Sequence, residues 1–366
     1  MKHIRTTTKS KLTPHHNREK QDMAGNRILY GIGAALTALT LSVSPLVAQS
    51  LPGEGTTVRM GQPTWDTEWF QAQVYKKAME ALGYTVQGPT ALDNPPFYQA
   101  LSQGDMDFWA SGWFPLHNTY LEEIKGKGST VGYVAKGGAL QGYLIDKKTA
   151  DEHNIRKVED FKKPEIAKLF DDNGDGKADL VACPPGWGCE LTITHQMEAY
   201  GLGDTVEPIK AAYSASMADA VSRFEQGKPI FFYTWTPNWT VGMLKPDEDV
   251  VWLEVEKPSL PEDQKEMESQ TSIPGVKGCA SNPCQMGWPA NDIQVVANND
   301  FLEKNPAAKK LFEEMSIPLE DIFAQNAQMY QGADKPADLE RQADEWIKAN
   351  QQTFDGWIDA AKAAAQ

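Results

Sequence analysis

Cys183-Pro184-Pro185-Gly186-Trp187-Gly188-Cys189 is a short stretch that two cysteines can close into a ring, with an indole inside it. Two prolines and two glycines make such a ring a fixed turn rather than a floppy one. Closing so short a loop contributes roughly 2 kcal/mol by loop entropy, little beside a large core. Its value is local: one aromatic face and the backbone N–H groups beside it are fixed together. A helix is expected over Glu190–Tyr200. The N–H groups of Gly188 and Cys189 then fall at its start, where the first amides lack helical partners and the dipole favours an anion. An aromatic face beside an anion site suits a small ligand held by both.

Two further indoles stand in a phrase that occurs twice. Helix, glycine, strand and Trp-x-Pro reads as Leu101-Ser102-Gln103-Gly104 followed by Trp113-Phe114-Pro115. It reads again as Phe224-Glu225-Gln226-Gly227 followed by Trp235-Thr236-Pro237. Each tryptophan falls just past the carboxyl end of an expected strand, the edge where open α/β sheets bind ligands. An indole face is the best natural partner for a quaternary ammonium, which has no N–H to donate. Three such contacts, at about 0.5–2 kcal/mol each, fall short of the roughly 8 kcal/mol of a micromolar site. A second anchor is needed. His117, four residues after Trp113, and the N–H groups of Gly188 and Cys189 are the nearest polar groups, and they suit a carboxylate. Alone, His117 reads as an ordinary surface histidine; the two phrases read as two similar lobes, each offering one indole to a shared cleft, with two ordinary αβ units as the rival. Together they describe a cleft for a zwitterion with a methylated cation at one end.

The scaffold must bring these groups together. Thr57–Gly61 reads as a strand, Thr67–Ala81 as a helix stopped by Gly83, and Tyr84–Val86 as a second strand. A short helix over Phe97–Gln103 and a strand over Asp107–Ser111 follow. This alternation predicts a mostly parallel sheet with helices on both faces. Gly142–Ile145 and Asp292–Ala297 are apolar strands, expected to be where the chain crosses between two lobes. The first lobe then holds 51–144 and 291–366, and the second 145–290. Pro306–Met315, Pro318–Tyr330, Pro336–Asn350 and Phe354–Ala365 read as helices. Pro258–Gln285 reads as a loop insertion stapled by its own cysteine pair.

Residues 1–50 differ from the rest. Lys2, Arg5, Lys9, Lys11, Arg18, Lys20 and Arg27 precede a small-apolar stretch from Ile28 to Val47, and Ala48-Gln49-Ser50 offers a cleavage point. This reads as a secretory signal with a long basic leader, with Met23 as an alternative start; a membrane anchor is the rival reading. Removing residues 1–50 from a chain with 35 basic and 50 acidic residues leaves a net charge of about −20. So acidic a surface argues against nucleic acid and anionic membrane as partners. All four cysteines, Cys183, Cys189, Cys279 and Cys284, fall in the exported part, in two close pairs. They read as two local disulfides; zinc is the rival, and prolines within both loops fit it poorly.

Catalytic signatures are missing. There is no Gly-x-Ser-x-Gly, phosphate-binding loop or His-Glu-x-x-His, and the six histidines are scattered. No cofactor is expected. One loop, Asp171-Asp172-Asn173-Gly174-Asp175-Gly176-Lys177-Ala178-Asp179, carries oxygens at alternate positions as the first half of an EF-hand does. The twelfth position, which needs a bidentate Glu, is Ala182. A weak calcium site on Asp171, Asn173, Asp175 and Asp179 and a metal-free polar turn are both open.

Several stretches resemble the glycine betaine/proline betaine-binding proteins of osmoprotectant ABC importers. They are Trp113-x-Pro-Leu-His117, Gln141-Gly-Tyr-Leu-Ile-Asp-Lys-Lys-Thr-Ala150, Ile166-Ala-Lys-Leu-Phe-Asp171 and Asn173-Gly-Asp-Gly-Lys-Ala-Asp-Leu180. Pro185-Gly-Trp-Gly-Cys-Glu190, Tyr233-Thr-Trp-Thr-Pro237 and Gln351-x-x-Phe-Asp-Gly-Trp357 complete them, so they run along nearly all of the exported chain. The resemblance implies a two-lobed periplasmic binding protein of the type II kind, with two doubly wound α/β lobes joined by two crossing segments. It implies a box of Trp113, Trp187 and Trp235 around the ammonium group. It further implies that His117 and the N–H groups of Gly188 and Cys189 hold the carboxylate, and that Cys183 pairs with Cys189. A monomer that hands its ligand to a permease and its ATPase is the implied partnership, and the periplasm the implied location. Phe114 departs from the family pattern, which has Thr there, and the Cys279/Cys284 loop is foreign to it. Trp65 reads as a packed surface indole rather than a rim aromatic. The competing reading is a secreted enzyme for choline-like or glycan substrates; it needs a base–nucleophile pair that the sequence does not offer.

Overall fold

The computed structural model describes residues 50–366, so the expected leader and its start lie outside the described residues. The strands in chain order are β1 (Thr57–Pro63), β2 (Thr85–Leu92), β3 (Phe108–Phe114), β4 (Gly128–Ala139), β5 (Gln141–Asp146) and β6 (Ala178–Val181). They continue with β7 (Val206–Ile209), β8 (Phe231–Trp235), β9 (Val250–Trp252), β10 (Ser272–Ile273), β11 (Cys284–Gln285) and β12 (Asn291–Asn298).

Two five-stranded sheets result, in the orders β2-β1-β3-β12-β4 and β7-β6-β8-β5-β9. In the first, β1 is parallel to β2 and β3, whereas β12 is antiparallel to β3 and β4. In the second, β6 is parallel to β7 and β8, whereas β5 is antiparallel to β8 and β9. The pattern is the same twice. In each lobe the one antiparallel strand is the strand the chain delivers on arriving from the other lobe. β5 joins the second sheet along its whole length, so Leu144, the expected boundary, falls inside a strand and the chain passes over just before Gln141. The return ends at Asn291, where β12 begins.

This symmetry sets the places of two indoles. Trp113 is the last residue but one of β3 and Trp235 the last of β8, the third strand of each sheet. The helices before them, Asn94–Gln103 and Tyr213–Glu225, end at Gly104 and Gly227, with φ of +79° and +73°. That left-handed conformation favours glycine and turns the chain into the strand. Both Trp-x-Pro units carry a cis peptide, Phe114-Pro115 and Thr236-Pro237.

Each lobe has its own aromatic core: Phe97 stacks on Trp109 at 3.7 Å in the first, and Phe161 on Phe231 at 4.2 Å in the second. The C-terminal helices return to the first lobe, where Trp346 meets Phe70 at 6.2 Å and the Tyr75 hydroxyl donates to Met315 O at 3.1 Å. Both cysteine pairs are disulfides, Cys183–Cys189 and Cys279–Cys284, with Cα atoms 6.0 and 5.8 Å apart. The Pro258–Gln285 stretch holds a 3-10 helix, Glu262–Gln270, and the β10–β11 ribbon. It reaches the first lobe, since Asn118 Nδ2 donates to Asp263 O at 3.0 Å. No helix among the described residues is long and apolar enough to cross a membrane.

Candidate functional site

The carboxyl ends of β3 and β8 face each other across a small cavity. Trp113, His117, Trp187, Gly188, Cys189 and Trp235 all line it, together with Trp65, Gln141 and Tyr233. All six residues named from the sequence therefore meet at one place. The indoles are nearly out of solvent: Trp113 and Trp235 are 4% exposed and Trp187 7%. The rings of Trp187 and Trp235 are 5.9 Å apart and nearly perpendicular, at 76°.

The N–H groups of these three indoles are all taken by protein, each with an acceptor in one short segment. Trp187 Nε1 donates to Thr64 Oγ1 at 3.0 Å and to Asp93 Oδ1 at 3.2 Å. Trp235 Nε1 donates to Thr67 Oγ1 at 3.2 Å, and Trp113 Nε1 donates to Glu68 Oε1. The loop Thr64–Glu68 thus holds three rings from two lobes by their polar edges. What the rings offer to the cavity is carbon surface. Ser214 Oγ adds a bond to Asp66 Oδ2 at 3.2 Å, and Trp239 stacks on Tyr330 at 4.6 Å. These contacts join the lobes, so the cleft is shut.

The helix after the disulfide ring spans Gly188–Ala199, two residues earlier than expected at its start. The N–H groups of Gly188 and Cys189 are its first two and have no carbonyl one turn back to bond. Gly188 is pressed against the other lobe. A Cβ there would lie 3.1 Å from His117 Cδ2 and 3.1 Å from Leu116 Cγ.

His117 is buried, not a surface residue as it reads alone. Its Nδ1 accepts from the Trp113 N–H at 3.2 Å, with the Tyr98 hydroxyl at 3.1 Å. The ring proton therefore sits on Nε2; the Asn94 amide 2.9 Å away accepts it only with its oxygen, which otherwise has no partner among the described residues, turned to the ring. Burial pushes the imidazole down to about 3, so it is a neutral donor at physiological pH.

Trp65 stands in the cavity wall rather than on the surface, 7% exposed and edge-on to Trp187 at 5.3 Å. Phe114 stays out of the cavity and packs edge-on to His117 at 6.0 Å. Gln141, the first residue of β5, accepts the Tyr233 hydroxyl at 2.5 Å and leaves Nε2 without a partner among the described residues. Sequence reasoning missed Thr64, Thr67, Glu68 and Gln141. The run Thr64-Trp65-Asp66-Thr67-Glu68, dense in acceptors just ahead of a helix, was the available signal.

The EF-hand-like loop lies apart from the cavity. Asp171 accepts the N–H groups of Gly174 at 2.7 Å and Gly176 at 2.9 Å; Asp175 Oδ1 accepts that of Lys177 at 2.9 Å. Asp179 takes the N–H of Asp172 at 2.7 Å and the Asn173 amide at 2.8 Å.

Residues 56–349 match a family model described as the substrate binding domain of ABC-type glycine betaine transport systems. The chain is 47% identical to the glycine betaine-binding periplasmic protein OusX of Dickeya dadantii, over 92% of this chain and 99% of that protein. It is also 47% identical to the glycine betaine/proline betaine-binding periplasmic protein of Escherichia coli, over 89% of this chain and 96% of that one. Among solved structures, lactococcal OpuAC in its closed form with glycine betaine shares the fold, with a TM-score of 0.62 at 20% identity. That match covers 83% of this chain and 99% of OpuAC. These relatives are binding proteins, not enzymes, and the two-lobed type II architecture is theirs as well. The chain belongs to the family of substrate-binding domains of ABC-type glycine betaine transport systems.

Proposed function

We propose that this protein captures glycine betaine and related betaines in the cavity between its lobes. Trp113, Trp187 and Trp235 surround the trimethylammonium group. The carboxylate lies at the start of the Gly188–Ala199 helix, on the N–H groups of Gly188 and Cys189, with the neutral Nε2–H of His117 beside it. The observation that carries this reading is that all three indoles line one buried cavity while their N–H groups are bonded elsewhere. A cation that cannot donate a hydrogen bond meets no unpaired indole donor there. Contacts of this kind gain most when desolvated, about 2 kcal/mol or more each. The helix start and His117 supply the remainder of a micromolar affinity without placing a full positive charge in the cavity.

Capture is paired with delivery: the closed, loaded form docks on the permease of an ABC importer, whose ATPase drives uptake. The protein acts as a monomer in the periplasm after a cleaved leader within residues 1–50 has exported it. Calorimetric titration of Trp187→Ala with glycine betaine tests the site. The affinity falls at least tenfold, about 1.4 kcal/mol; an unchanged affinity removes Trp187 from the box.

A further inference from the structure

Glu68 is 1% exposed and ends the 3-10 turn Asp66–Glu68. Its Oε1 accepts the indole N–H of Trp113, and its Oε2 accepts the Ser111 hydroxyl. No cation among the described residues pairs with it. On its own turn, Asp66 bonds Ser214. On β1, Arg59 is paired with Asp107. On the next helix, Lys76 faces Glu80 and Glu340, and Lys77 faces Asp344. On the helix Leu319–Tyr330, Asp321 accepts the Trp346 indole N–H and Glu320 is exposed. His117, which bonds the Trp113 backbone, is neutral, and across the cleft the Tyr213 hydroxyl donates to Tyr233 O. A buried carboxyl without a cationic partner is costly to ionise.

Resting on the box assigned above, we propose that Glu68 is the buried counter-charge of the site. It fixes Trp113 through the indole N–H and, once ionised, makes the face of that indole more negative toward the ligand's cation. A donor bonded to an anion is polarised along its whole π system, and the low dielectric of the shut cleft preserves the effect. Burial pushes the Glu68 carboxyl up to about 8 in the empty protein, against the pull of the Trp113 and Trp65 N–H groups. A bound cation favours the ionised form. Binding therefore releases a proton from Glu68, and affinity rises as pH climbs through about 8. His117 does not titrate in that range, and Asp66, raised by burial, has its own bond to Ser214.

The experiment compares two ligands: glycine betaine and its neutral-headed carbon isostere, 3,3-dimethylbutanoate. Each is titrated calorimetrically from pH 6.5 to 9 in buffers of different ionisation heat, against wild type, Glu68→Gln and Glu68→Asp. Wild type gains about tenfold in betaine affinity over this range, with proton release, and gains nothing for the isostere. Glu68→Gln keeps an acceptor for Trp113 but shows a flat profile and weaker betaine binding. Glu68→Asp keeps the charge and the rise with pH, so it serves even if the Gln variant folds poorly. A Glu68→Gln profile that matches wild type, or a flat Glu68→Asp profile, overturns the proposal. Trp235→Ala runs in parallel. If it loses betaine while Glu68→Gln does not, the box stands and Glu68 has no such part; if it keeps betaine, the box itself falls.

Discussion

The Trp187 indole N–H lies 3.0 Å from the Thr64 hydroxyl oxygen, and the two residues belong to different lobes. The bond exists only when the cleft is shut. Trp235 and Thr67 repeat the arrangement at 3.2 Å. Two of the three box rings therefore reach their final orientation through closure itself, so binding and closing are one equilibrium. Thr64→Val removes the nearer of the two acceptors, leaving Asp93 Oδ1 at 3.2 Å, and keeps the shape. A neutral hydrogen bond of about 0.5–1.5 kcal/mol corresponds to a betaine affinity weakened by roughly two- to tenfold. Calorimetry reads that loss, and thermal unfolding of the ligand-free protein stays unmoved. A loss of unfolding temperature without loss of affinity contradicts the coupling.

Gly188→Ala tests how closely the lobes approach. The added methyl meets the side chains of His117 and Leu116 of the opposite lobe, each at 3.1 Å, so these two must give by a few tenths of an ångström for the cleft to shut as it does here. The variant is expected to bind betaine at least tenfold more weakly and to stay less compact with ligand in small-angle scattering. Its unfolding temperature without ligand holds or rises, because alanine is the better residue in a helix. Wild-type affinity in this variant removes the close approach from the account.

The Cys183–Cys189 bridge fixes the turn that carries Trp187 and the helix start. So short a loop contributes only about 2 kcal/mol to the fold. The double variant Cys183→Ser/Cys189→Ser should lose betaine affinity by a larger factor than it loses stability, read by titration and chemical unfolding on the same sample. Equal losses in the two free energies make the bridge a simple staple.

Stability without ligand should carry the mark of Glu68. Its carboxyl is raised from 4.5 to about 8 by burial, so between those values the folded state holds a proton that the unfolded chain has lost. Its contribution is complete below about 4.5 and vanishes as pH rises through about 8. The unfolding temperature of wild type should fall relative to Glu68→Gln from pH 5 to 9, and betaine should reverse the fall. Parallel profiles for the two proteins contradict the sign.

Much of this site was written in local sequence. Trp113 and Trp235 announce themselves because each ends a helix–glycine–strand unit, and those units occupy matching strands of two sheets built alike. Trp187 and the helix start are marked by the cysteines on either side. Glu68 and Gln141 were not legible: their roles depend on which indole edge or hydroxyl the fold brings to them, and neither is near its partner in sequence. The burial of His117 and Trp65 was hidden for the same reason: Tyr98 covers the one, and Trp109 and Trp187 the other, none of them near in sequence.

A crystal structure of the protein with glycine betaine tests the central claim most directly. The account predicts the methylated nitrogen within about 6 Å of the ring centres of Trp113, Trp187 and Trp235, with the carboxylate on the N–H groups of Gly188 and Cys189. A ligand bound outside that cavity, or turned so that its carboxylate meets the indoles, contradicts it.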